Sequence, residues 1–184
     1  MSRSSRWLTA ALCFCWLAGT AAAEELRPAG YGFGRMATEA EIKAWDIDVT
    51  PAGEGLPPGR GTVKAGAKVY AKKCAWCHGP TGTEGPKARL VGGQGTLKAA
   101  EPVKTVGSYW PHATTLYDYI HRTMPFTAPQ SLAPDEVYAL TAWILFRNGI
   151  IPEDAVIEAA SLPNVQMPNR QGFVPDPRPD VPAR

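Results

Sequence analysis

The sequence is constrained most by the motif C-A-W-C-H at residues 74–78. C-x-x-C-H is the attachment signal of c-type haem, because two thiols at this spacing add across the two vinyl groups at one edge of the porphyrin. The adjacent imidazole then reaches the iron. The motif therefore predicts one haem c, bound covalently through Cys74 and Cys77, with His78 as an iron ligand.

Other uses of a C-x-x-C pair fit the sequence less well. Such a pair can form a single disulfide, a redox dithiol or half of a zinc site. A redox dithiol of the thioredoxin type needs a βαβ context, which the sequence does not show. A zinc site needs a second pair of ligands, and the only histidines outside the motif are His112 and His121. The haem interpretation is therefore favoured.

Residues 1–23 have the three-part pattern of a secretory signal peptide. Arginines precede an apolar stretch at 8–18, and an Ala-x-Ala cleavage site follows at 21–23. The apolar stretch is shorter than the roughly 20 residues of a membrane-spanning helix, so a permanent anchor is the less favoured alternative. Cleavage leaves Cys74 and Cys77 as the mature cysteines. We therefore expect a periplasmic protein with no stable membrane span after cleavage.

Glycine and proline mark the segments on either side of the motif. The sequence has 18 of each, and neither flank is expected to form long regular elements. We expect an extended N-terminal arm over 24–61, a haem domain over 62–150 and a proline-rich C-terminal extension over 151–184. The 19 Lys and Arg residues nearly balance the 17 Asp and Glu residues and are scattered, so there is no sign of nucleic-acid binding.

Met124 is the candidate for the second axial ligand of the iron. It follows a short apolar stretch at 114–122 that predicts a helix, and Pro125 ends that helix and holds Met124 extended. Three alternatives stay open. Met124 can be a core side chain, Met167 can be the ligand, or His112 or His121 can complete a bis-His site of lower potential.

Two segments with clearer helix signals lie on either side of the motif. Residues 62–73 place Gly66 four residues before Tyr70, so one helix face offers a notch beside an aromatic ring. The last helix begins at Pro134, with a hydrophobic staple between Leu132 and Val137, and it ends at an Asn-Gly pair at 148–149. We expect the two helices to cross tightly at the notch.

These features together resemble a class I cytochrome c over about residues 60–150. The resemblance implies an all-α fold, with three to five helices around one haem, between the arm and the tail. It also implies that the carbonyl of a proline after the motif accepts a hydrogen bond from the ligand histidine, for which Pro86 is the candidate. Arg89, Tyr109 and Trp110 are candidates for binding the haem propionates.

The flanking segments resemble a narrower family. Y-G-F-G-R at 31–35, the segments at 44–49, 55–59, 92–95 and 103–111, and M-P-N at 167–169 are similar to the SoxD-like cytochrome subunits of periplasmic sulfane and sulfite dehydrogenases. Members of this family take single electrons from a molybdenum-cofactor subunit of the sulfite oxidase type. Larger members carry two haem domains, whereas this sequence has one C-x-x-C-H, so a monohaem subunit fits better.

The expected function is electron transfer without substrate turnover, on to a downstream c-type cytochrome or oxidase. The alternatives are a freely diffusing shuttle serving a terminal oxidase, and a haem enzyme or sensor with an open iron position. Apolar residues of the flanks, above all Phe33 and Trp45, are costly to leave in water. They therefore wrap either a partner or the protein's own surface.

Overall fold

The computed structural model describes residues 33–176, so the predicted signal peptide lies outside the described residues. The chain divides after Thr38 into two compact units, and the described helices and strands all lie in the unit from Glu39 onward. In chain order these are α1 (Glu39–Trp45), β1 (Arg60–Thr62), α2 (Val63–Lys73), α3 (Ala75–His78), α4 (Ala113–Thr123), α5 (Pro134–Arg147) and β2 (Val156–Glu158). Within residues 33–176, no helix is long and apolar enough to cross a membrane.

The centre of the fold is the crossing of α2 and α5. A Cβ atom built on Gly66 would lie 1.9 Å from the carbonyl oxygen of Ala139 and 2.7 Å from Cβ of Trp143. One turn further along α2, the ring of Tyr70 stacks on Trp143 with the centroids 3.8 Å apart. The predicted notch beside an aromatic ring is therefore confirmed, and the missing side chain lets the two helix backbones touch.

Both ends of α5 follow from the predicted local signals. Pro134 stands in the first turn, and Leu132 and Val137 are both buried, as expected of a hydrophobic staple. The helix ends at Arg147. Just beyond it, Gly149 has a φ of 69°, a left-handed conformation that favours glycine.

The end of α4 agrees with the prediction, but its buried face does not. The helix stops at Thr123, because a proline at 125 disfavours helical backbone at 124. The spacing of Leu116, Tyr119, Ile120 and Thr123, near i, i+3, i+4 and i+7, predicts that these four residues form the buried face. In the structure Tyr119 is 47% exposed, whereas Tyr117 is fully buried. The reason is that α5 covers the side of α4 on which Tyr117 lies, and Tyr117 packs there against Tyr138 with ring centroids 4.5 Å apart.

Parts of the arm and the tail complete the core of the helical unit. β1 pairs antiparallel with β2, and Gly61 lies opposite Ile157. Val49 of the arm is buried in the same core as the helices, and so are Ile157, Leu162 and Met167 of the tail. These segments therefore wrap the protein's own helices. The all-α fold is confirmed, with the β1–β2 ribbon as a short addition, but the arm is not extended throughout because α1 forms within it.

Candidate functional site

The residues of the motif lie on one helical turn at the end of α2. The N–H of Cys74 donates to the Tyr70 carbonyl at 2.9 Å and closes α2, and α3 begins at the next residue. The N–H groups of Cys77 and His78 both donate to the carbonyl of Cys74, at 3.1 and 3.0 Å. Both thiols are free and half-buried. Two thiols and an imidazole are therefore held within one short segment, which is the donor set that haem c requires.

The thiol of Cys74 is protonated at neutral pH. Burial raises its pKa to about 11, while Lys73 lowers the pKa and Cys77 raises it by smaller amounts. A thiol in this form is a weak nucleophile and a weak ligand for free metal ions. The raised pKa therefore argues against dithiol exchange and against a thiolate metal site at this pair.

The imidazole of His78 is oriented by a backbone carbonyl. Its Nδ1 lies 2.8 Å from the carbonyl oxygen of Ala88, so Nδ1–H donates there and Nε2 keeps its lone pair for iron. The expectation that Pro86 accepts this hydrogen bond is wrong. The N–H of Lys87 donates to the Cys77 carbonyl at 2.9 Å, which holds residues 86–87 against the motif. The carbonyl two residues after Pro86 is then the one that reaches the ring.

The loop after the motif is fixed on both sides. Gly79 ends α3 with a φ of 76°, and the hydroxyl of Tyr70 donates to its carbonyl at 2.8 Å. Further along, the hydroxyls of Thr81 and Thr83 donate to the Glu84 carboxylate. These hydrogen bonds lower the pKa of Glu84 to about 2. The carbonyl that orients the ligand histidine is thus carried by a well-braced loop.

The two candidate methionines differ in their surroundings. Met124 follows α4 directly and is half-buried against the core, whereas Met167 is 4% exposed and lies within the core. His112 and His121 each have a buried Nδ1 without a hydrogen-bond partner in the part of the chain that the structure describes. That Met124 shares the iron with His78 stays a prediction.

The three residues expected at the propionates are not alike. Arg89 is exposed, and its Nε donates to the carbonyl of Thr83 at 3.1 Å. Tyr109 and Trp110 are half-buried, and the ring of Tyr109 meets that of Phe173 edge to face, with centroids 5.2 Å apart. The structure thus engages Arg89 within its own loop, whereas Tyr109 packs on Phe173 and Trp110 packs on Tyr119.

Two buried polar residues were missed by the sequence reasoning. The Oδ1 atom of Asn148 accepts from the Gly92 N–H at 3.0 Å and so fixes the glycine-rich loop on the end of α5. Asp118 accepts from the Val49 N–H at 2.8 Å and from Arg122 at 2.9 and 2.6 Å, which raises the pKa of Arg122. The available signals were weak, namely an asparagine before a helix-ending glycine and an aspartate four residues before an arginine.

Comparison with known proteins agrees with this geometry. The family model described as cytochrome c oxidase, cbb3-type, subunit III, matches residues 61–144. The crystal structure of the sulfane dehydrogenase SoxCD from Paracoccus pantotrophus contains a chain with 45% sequence identity and a TM-score of 0.75. The match covers 82% of this chain and 74% of that chain. The chain belongs to the SoxD-like family of c-type cytochromes.

Membership of this family implies covalently bound haem c, and the motif residues fit that group. A SoxD-like cytochrome is an electron-transfer protein rather than a catalytic subunit. A weaker similarity is to thiosulfate dehydrogenase (TsdBA) from Marichromatium purpuratum in its as-isolated form. There the identity is 22% and the TM-score 0.34, over 51% of this chain and 23% of that chain. No curated protein matches the chain.

Proposed function

We propose that this SoxD-like cytochrome is the monohaem, electron-accepting subunit of a periplasmic molybdenum dehydrogenase of the sulfane or sulfite type. It passes single electrons on to a downstream c-type cytochrome or oxidase. The observation that carries the proposal is the 45% identity to a chain of SoxCD over 82% of this chain. A single C-x-x-C-H supports one haem, and the signal-peptide pattern supports export.

The residues of the chain have separate tasks in this function. Haem c, when bound, supplies a reversible one-electron couple of its iron. Cys74 and Cys77 hold the porphyrin covalently, and the hydrogen bond from His78 to Ala88 fixes the ring and makes it a better donor to iron. A thioether ligand from Met124 would raise the potential and close the sixth position, which favours electron transfer over binding of small molecules.

The described end of the arm offers a contact surface for the molybdenum subunit. No residue of α1 is buried, and Ile42 and Trp45, three residues apart on this helix, are 53% and 87% exposed. In the preceding unit Phe33 is 94% exposed. Aromatic anchors are typical of the centres of protein interfaces. We therefore assign α1 to the partner, and the buried parts of the arm and tail to the protein's own core.

The proposal is tested by stopped-flow reduction of the haem by the purified molybdenum subunit, with the dissociation constant measured in parallel. The double variant Ile42→Ala/Trp45→Ala should raise that constant at least about tenfold, a loss of about 1.4 kcal/mol, because two interface anchors are removed. Its haem spectrum should be unchanged, because neither side chain lies in the core. Val174→Ala, at an exposed apolar position of the tail, is the matched control.

The outcomes separate the possible roles. Wild-type cytochrome that is neither bound nor reduced by the molybdenum subunit would contradict the subunit role and favour the free shuttle. Equal dissociation constants for the double variant and Val174→Ala would show that α1 does not contact the molybdenum subunit. Removal of the whole arm and tail is not a clean test, because Val49, Leu162 and Met167 belong to the core.

A further inference from the structure

Hydrogen-bond donors without acceptors gather near the start of α4. Nδ1 of His112 is buried and has no partner within residues 33–176. In the same part of the chain, the Arg170 guanidinium takes part in no ion pair or hydrogen bond. The hydroxyl of Tyr109 and the indole N–H of Trp110 have no acceptor there either. Of these four, only Nδ1 of His112 is a fully buried atom, and folded proteins satisfy nearly all such donors. The partly exposed groups of Tyr109, Trp110 and Arg170 add further donors, and the set suits an anion.

The tail holds Arg170 against this segment through its neighbours. Met167 is anchored in the core. The side-chain amide of Asn169 donates to the carbonyl of Tyr109 at 2.7 Å. On the other side of Arg170, the ring of Phe173 packs on Tyr109, with centroids 5.2 Å apart. The arginine is therefore kept beside Tyr109 by contacts on both sides of it in the sequence.

The electrostatics of the cluster also favour a negative group. The pKa of His112 is lowered, first by burial and second by the positive charge of Arg170, so the ring is neutral at pH 7 and can donate through Nδ1. No side chain caps the N-terminus of α4, whose first N–H groups and dipole attract anions. The cluster thus combines the positive charge of Arg170 with several neutral donors, and a second cation, Lys104, lies 5.2 Å from the centroid of the Tyr109 ring.

We propose that His112 and Arg170, with Tyr109 and Trp110, bind a propionate of the haem. The proposal rests on the proposed haem-carrying function, and it adds His112 and Arg170 to the two aromatic residues already expected at the propionates from the sequence. A carboxylate offers two acceptor oxygens that match the guanidinium fork, and Tyr and Trp donate while covering the porphyrin edge. Arg89, the cation expected from the sequence, is exposed and donates to a carbonyl of its own loop. The C-terminal tail therefore supplies the cation.

The test uses the isolated holo-cytochrome and two readouts, the reduction potential and the propionate carboxylate bands in redox-difference infrared spectra. Arg170→Gln removes a positive charge that stabilises the reduced form. It should shift the Fe(III)/Fe(II) equilibrium about tenfold toward the oxidised form, which lowers the potential by about 60 mV, and it should also move the carboxylate bands. Arg170→Lys keeps the charge and should restore most of the potential, but not the band positions of a bidentate pair. Arg60→Gln, at an exposed arginine of β1, is the matched control.

Arg170→Gln with the potential and bands of Arg60→Gln would overturn the proposal. So would a shifted potential with unshifted bands, because a distant charge or a water molecule at His112 gives that result. If Arg170→Gln yields no holo-protein, the same two readouts are taken on His112→Leu instead. Its Fe(III)/Fe(II) equilibrium should shift about threefold toward the oxidised form, near 30 mV, and the carboxylate bands should move. All measurements are made without the molybdenum subunit, so a failure here is distinct from a failure of the partner assay.

Discussion

Replacing Gly66 with alanine is expected to destabilise the protein, although this change usually stabilises a helix. The new Cβ would lie 1.9 Å from the Ala139 carbonyl oxygen and 2.6 Å from its carbon. Non-bonded heavy atoms prefer about 3.5 Å, so α5 has to move by more than about 1 Å and the stack of Tyr70 on Trp143 is disturbed. Such overpacking costs about 3 kcal/mol. The gain in helix propensity returns about 1 kcal/mol, so the net loss is about 2 kcal/mol.

Guanidinium unfolding of the holo-protein, followed by far-UV circular dichroism, measures this loss. Gly66→Ala should lower the midpoint without changing the slope. Ala65→Gly, at the neighbouring exposed position of α2, is the control for propensity and should lose up to about 1 kcal/mol. If Gly66→Ala were as stable as the wild type while Ala65→Gly lost stability, the helices would not touch at Gly66 and the reasoning would be refuted.

Three further predictions concern the haem and the surface. Denatured mature protein should keep its haem through acid-acetone extraction, and mass spectrometry should show one haem on the chain; an unmodified chain or a disulfide within the motif would contradict the assignment. Met124→Ala should lose the sulfur-to-iron absorption band of the oxidised protein and admit added ligands, and loss of the band in Met167→Ala instead would move the ligand to the tail. The hydrogen bond from Lys73, at 2.8 Å, lowers the pKa of Glu136, so its stabilisation is present above an ordinary glutamate pKa of about 4.3 and is lost as pH falls through the lowered value. Glu136→Gln should therefore cost up to about 1 kcal/mol in unfolding experiments at pH 7 and nothing in strong acid, and a constant difference across pH would exclude the ion pair as the cause.

Elements specified by local signals were predicted well. Proline in the first turn and glycine after the last mark the ends of α5, because each matches a backbone conformation that few other residues favour. The contact at Gly66 was predicted from its spacing to Tyr70 on one helix face. The motif cysteines and histidine were found for the same reason, since their chemistry depends on spacing within five residues.

Features specified by distant residues were not predicted. Tyr117 and Tyr119 lie on different faces of α4, and only the position of α5 decides which of them is buried. The carbonyl that reaches His78 depends on how the following loop packs against the motif, so the resemblance, which implied the carbonyl of Pro86, placed it two residues too early. Asp118 is buried because Val49 of the arm covers it, and that pairing has no signature within either segment.

The β1–β2 ribbon pairs two segments that lie far apart in the sequence, which affects both how the protein folds and how it responds to cleavage of the tail. Its partners Arg60 and Glu158 stand about a hundred residues apart, so pairing them closes a long loop whose entropy has to be offset by contacts formed elsewhere. Local helices form sooner than such non-local pairs, so the ribbon joins late and its loss hastens unfolding more than it slows folding. A protease cut just before β2 would release the outer strand together with the buried side chains of Ile157, Leu162 and Met167. We therefore expect a cut at this point to shorten the lifetime of the folded protein.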